Sequence, residues 1–130
     1  SEDLPKAEAR EKILLVEDER AILAVGKRML GRLGYAVILA ATPQEAIHFI
    51  EQGELVDLLV TDVIMPSMNG KELSDKLRTI RPELKTLYIS GYTNDVITNQ
   101  GVLEAKVHFL SKPFSLQELA LKVRQAIDSS

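Results

Sequence analysis

Five short apolar runs, separated by stretches of helical spacing, constrain this chain more than any other feature. They are Ile13–Val16, Tyr35–Leu39, Leu58–Thr61, Thr86–Ile89 and Val107–Leu110. A run such as Ile13-Leu14-Leu15-Val16 has no alternating polar position, so both faces of the strand it forms must be buried. Short strands alternating with helices predict an α/β domain with a parallel sheet covered on both faces. Right-handed crossovers leave few arrangements of such a sheet.

The intervening helices carry their own stop and start signals. Helix one is predicted from Arg20 to Leu33 and stopped by Gly34. Helix two starts at Thr42-Pro43, with Thr42 as N-cap, Pro43 at the first helical position and Glu45 completing a capping box. It runs to Gln52 before Gly53. Helix three is predicted over Lys71–Thr79, a short helix over Asn94–Gln100, and a last helix from the Ser115 cap to Asp128.

The chain has 130 residues, enough for one domain. Residues 1–11 are charged, carry Pro5 and read as a linker or tag remnant; 12–130 form the domain. A start at Ser1 rather than Met suggests a piece of a longer protein. No cysteine is present, which rules out disulfides and thiolate metal sites and fits a cytoplasmic, reducing setting. The net charge of −3 argues against a nucleic-acid surface, and no apolar run is long enough to cross a membrane.

In an open parallel sheet, ligands bind beyond the carboxyl ends of the strands. Strand one leads into Glu17-Asp18, strand three into Asp62, strand four into Ser90 and strand five into Lys112. Strand two ends in Ala40-Ala41, which places it outermost, beyond strand one. Three acids in one place repel each other unless a cation intervenes. Hard oxygen donors favour Mg²⁺ held by Asp18 and Asp62. Lys112 could meet the charge of a transferring phosphoryl group, Ser90 could donate to one of its oxygens, and Asp62 could act as nucleophile. Taken singly, Asp18 reads equally as a helix N-cap and Asp62 as a turn residue, Ser90-Gly91 is little more than a turn signal and Lys112-Pro113 is more often a loop; the conjunction points to a site.

The motifs Leu14-Leu15-Val16-Glu17-Asp18-Glu19, Leu59-Val60-Thr61-Asp62-Val63-Ile64-Met65-Pro66 with Met68-Asn69-Gly70, Ile89-Ser90-Gly91 and Phe109-Leu110-Ser111-Lys112-Pro113-Phe114 resemble the receiver domains of bacterial two-component response regulators. The resemblance runs from Lys12 to Asp128. It implies a flavodoxin-like (βα)5 three-layer sandwich with strand order 2-1-3-4-5. It makes Asp62 the phosphoacceptor, Asp18 and the Ile64 carbonyl further Mg²⁺ ligands, and Glu17 a ligand through water. Ser90 and Lys112 would contact phosphoryl oxygens, Ser90 and Phe109 would act in the switch, and Lys112-Pro113 would be cis. Glu17 and Ser90 stand where Asp and Thr are commoner in the family, and both keep the chemical group. The run Tyr88–Thr93 is similar to receivers attached to hybrid sensor histidine kinases.

The resemblance also implies a partner, a histidine kinase or histidine phosphotransfer domain, docking on Ile22, Val25, Pro113 and Phe114. Helix one has two adjacent apolar stripes, Leu23–Gly26–Leu30–Leu33 and Ile22–Val25–Met29. One must pack on the sheet, leaving the other either buried in a broad face or open for docking. Output is expected through helix four, strand five and helix five, from a monomer or weak dimer. His48 and His108 read as structural. Ile64 and Tyr92, each two residues past a site residue, could shield the phosphate from water. A hydrolase using Asp62 would want an acid at Ile64, and a dinucleotide-binding domain would want a glycine-rich turn after strand one; neither is present.

Overall fold

The computed structural model describes residues 4–8, 10–91 and 107–129. The strands are β1 (Lys12–Val16), β2 (Ala36–Ala40), β3 (Leu58–Asp62), β4 (Lys85–Ser90) and β5 (His108–Ser111). The helices among the described residues are α1 (Arg20–Arg32), α2 (Pro43–Glu51), α3 (Gly70–Ile80) and α4 (Leu116–Asp128). The helix predicted over 94–100 and Tyr92 lie outside the described residues.

All five strands are parallel in the order β2-β1-β3-β4-β5. The side-chain period of two divides the apolar strand residues between the two faces. Ile13, Leu15, Leu58, Val60, Leu87, Ile89 and Leu110 meet α1 and α4 through Leu30, Leu33, Leu119 and Val123. Leu14, Val16 and Leu59 face α2 and α3 through Ala46, Ile50, Leu73 and Leu77. The helix–sheet–helix layers expected from wholly apolar strands are therefore present.

Strand two begins one residue later than the sequence pattern suggests. Gly34 has φ of 94°, and the Tyr35 amide turns back to the Leu30 carbonyl at 3.1 Å while the Gly34 amide reaches Gly31. This closes α1 with a left-handed cap and commits Tyr35 to the helix end. The box at α2 is half formed: Thr42 accepts from the Glu45 amide, but the Glu45 carboxylate accepts from Ala41 at 2.7 Å. That amide lies just past β2, where strand pairing has stopped. At α3 and α4 the reciprocal boxes Asn69–Glu72 and Ser115–Glu118 are complete.

The described residues ahead of β1 make contacts with the domain. Leu4 and Ala7 pack on the α1/α4 core, and the Ala7 amide donates to the Leu33 carbonyl at 2.8 Å. Arg124 on α4 binds Glu11 with both terminal nitrogens at 2.8 Å and also reaches the Lys6 carbonyl.

Candidate functional site

The sheet order sets the site. With β1 and β3 adjacent, Glu17 and Asp18 just beyond β1 come beside Asp62 at the end of β3. Carboxylate oxygens of all three lie within 4.8 Å of one another. Asp62 and Glu17 are buried, Asp18 is exposed. The N-cap of α1 is Glu19, without a side-chain cap bond, so Asp18 is not spent on capping.

Lys112, one residue past β5, spans the cluster. Its Nζ donates to Glu17 Oε1 at 2.8 Å and to Asp62 Oδ2 at 2.7 Å. Burial disfavours its charge, but the two carboxylates outweigh that and hold its pKa above the ordinary value. Glu17 shows the opposite balance. Burial pushes its carboxyl up to about 7, and the bonds from Lys112 and the Glu19 amide offset only part of this. A fully enclosed carboxylate beside a second acid is costly to charge, and Lys112 alone does not neutralise both.

The remaining atoms of Asp62 are also held. Its Oδ1 accepts from the Ile64 amide at 3.2 Å, and its carbonyl accepts from Thr61 Oγ1 at 3.0 Å. Ser90 is buried at the end of β4, and its carbonyl accepts from the Lys112 amide at 2.8 Å, tying the β4 and β5 ends together. The Lys112-Pro113 bond is cis. Phe109 is buried with Val63 and Tyr88 beneath the site. Ile64 exposes 46% of its surface beside Asp62.

On α1, Gly26, Leu30 and Leu33 are buried and Leu23 half-buried, while Val25 stays 40% exposed. Ala21, Ile22, Val25, Met29, Pro113 and Phe114 line a groove of about 450 Å³ that Lys112 also borders. The Ile22–Val25–Met29 stripe is thus the wall of an open groove, adjoining the acid cluster.

Gly70, which the sequence offers as a member of the Met68-Asn69-Gly70 motif, shapes the site. A Cβ there would overlap the Asp62 carbonyl oxygen and come within 3.1 Å of Val63 Cα. The bare glycine lets its amide bond Val63 at 2.8 Å and brings the start of α3 against the backbone of Asp62. The Asn69–Glu72 spacing marks that helix start in the sequence, but nothing local shows the approach to Asp62.

The response regulator receiver domain family matches residues 13–124. This chain belongs to that family. The receiver domain is 42% identical over 117 residues to the sensor kinase CckA of Brucella abortus, covering 89% of this chain and 12% of that protein. The solved receiver domain of the hybrid histidine kinase CckA superposes with a TM-score of 0.73 at 38% identity, over 90% of this chain and 99% of that one. The response regulator TrrA of Thermotoga maritima, solved with Mg²⁺-BeF, gives 0.78 at 27% identity over 89% and 98% of the two chains. The domain therefore belongs to two-component signal transduction. Its carboxylate oxygens are the hard donors that Mg²⁺ takes, and the three acidic residues lie close enough to hold such a cation together. Among the described residues, no helix is long and apolar enough to cross a membrane.

Proposed function

We propose that Asp62 is the phosphoacceptor of this receiver domain and that its donor is a phosphohistidine on a histidine kinase or histidine phosphotransfer domain. The observation that carries the reading is the state of the Asp62 carboxylate. One oxygen lies on the Ile64 amide inside the acid cluster, and the other on Lys112, which itself borders an apolar groove.

In the transfer, an Asp62 oxygen bonds to phosphorus as the phosphorus–nitrogen bond of the donor breaks. The imidazole leaves with the electron pair and takes up a proton. Lys112 stays close to charge spreading over the phosphoryl oxygens, and Ser90 offers them a hydroxyl. Asp18, Asp62 and the Ile64 carbonyl, with Glu17 through water, are the groups that would hold Mg²⁺, which when bound offsets phosphoryl charge. Phosphorylation then biases a pre-existing equilibrium. Ser90 and Phe109 form the switch pair, read out through the helix predicted at 94–100, β5 and α4.

Acetyl phosphate with Mg²⁺ should add one phosphoryl mass to the intact chain, and Asp62→Asn should abolish it. Labelling that survives Asp62→Asn sinks the reading. The groove is tested separately. Val25→Glu should slow transfer from a protein donor by about tenfold or more while sparing acetyl phosphate; equal loss with both donors would remove the docking role.

A further inference from the structure

We infer that the donor protein docking on this domain presents a helix with an acidic flank, which Arg28 and Arg32 read. The inference rests on Asp62 accepting from a protein phosphohistidine, and it names the partner's surface chemistry.

Because Lys112 borders the α1 groove, any helix lying in it is brought beside Asp62. The groove's apolar wall supplies adhesion but little choice between partners. Charge supplies the choice. In a chain of net charge −3, α1 carries Arg20, Lys27, Arg28 and Arg32 and no acid. Arg32 follows Val25 by two turns, about 20° away around the helix and about 10 Å further along it. Arg28 lies about 60° away and about 4.5 Å along. Both are exposed and continue the Val25 face away from Asp18 and Glu19.

Neither arginine has an ion-pair partner among the described residues, whereas Arg124, Lys112, Lys71 and Lys12 each hold a carboxylate. The helix dipole accounts for a cation in the last turn, where Arg32 lies, but not for Arg28. Acids just ahead of α1 and two unpaired arginines in its C-terminal half give the helix a polarity. A donor helix is fixed in direction when its own acids lie over Arg28 and Arg32. A basic flank there is repelled. A nucleic-acid strand fits less well, because a chain of net charge −3 offers no continuous basic stripe for its phosphates.

The test uses the full chain and a phosphorylated histidine phosphotransfer domain with glutamates on the flank of its docking helix, beside the same domain with those glutamates changed to lysine. At low ionic strength the acidic version should transfer at least about tenfold faster, with the difference shrinking as salt rises. Arg28→Glu with Arg32→Glu should reverse the preference and leave acetyl phosphate labelling unchanged. Equal rates from the two donors to the wild-type chain would overturn the inference, a comparison that stands even if the double variant misfolds. So would single-stranded RNA binding that Arg28→Glu with Arg32→Glu abolishes while donor preference stays flat. Failure of acetyl phosphate to label the wild-type chain would instead remove the Asp62 reading beneath it.

Discussion

Ser67 holds a backbone that a serine seldom adopts. Its φ is 71°, and the Met68 amide closes back on the Pro66 carbonyl at 2.8 Å, making a tight three-residue turn. A left-handed L-residue costs about 1–2 kcal/mol, and glycine's extra unfolded freedom costs about 0.5–1 kcal/mol. Ser67→Gly should therefore raise stability by a net of about 0.5–1 kcal/mol, read from a denaturant midpoint. A lower midpoint would show that the Ser67 hydroxyl, 3.4 Å from Gln44 Nε2, outweighs the strain. At this scale the sequence discloses chemistry better than geometry. Asp18, Asp62, Ser90 and Lys112 were legible because each ends or follows an apolar run. The role of Gly70 was not, since a glycine in a turn looks alike whether it serves φ or a close approach to Asp62. The two hydrogen bonds from Lys112 to Glu17 and Asp62 also join residues too far apart in sequence for spacing to disclose.

At the scale of elements, α4 does more than cover the sheet. Arg124 gathers Glu11, the Lys6 carbonyl, Tyr35 and Asp128 around one guanidinium. The Arg124 hydrogen bond lowers the Glu11 pKa in the fold despite partial burial. A carboxylate whose folded pKa is depressed stabilises the fold above its unfolded pKa. That contribution fades as pH drops through the folded value. Arg124→Ala should lower the melting temperature at neutral pH and lessen its fall on acidification; a parallel acid profile in the variant would show that the pair contributes nothing. This docked segment was not legible, because Pro5 and the charges of residues 1–11 look like linker and its anchor lies on the last helix. The four helices among the described residues were read to within a residue or two, since capping residues and glycines punctuate them. Strand two slipped by one because the α1 cap claims Tyr35.

For the whole molecule, the topology was the most legible property. Apolar runs without alternation demand cover on both faces, the polar strand ends put β2 at the rim, and the family resemblance supplied the rest of the observed order. What remained hidden is the burial at the centre, where Glu17 and Asp62 are enclosed around one lysine while Asp18 is exposed. Mg²⁺ bound only by the folded state should stabilise it, by about 2.7 kcal/mol at about a hundred times the dissociation constant. Asp18→Asn should remove most of that thermal shift, and an equal shift in the variant would place the cation elsewhere. The central claim is that phosphoryl transfer ends on Asp62. The direct measurement is to phosphorylate the chain from a phosphohistidine donor, reduce the acyl phosphate with borohydride and sequence the peptides by mass spectrometry. The account predicts homoserine at position 62, the reduction product of an aspartyl phosphate. Homoserine at Asp18, or label retained on a histidine or serine, would contradict it.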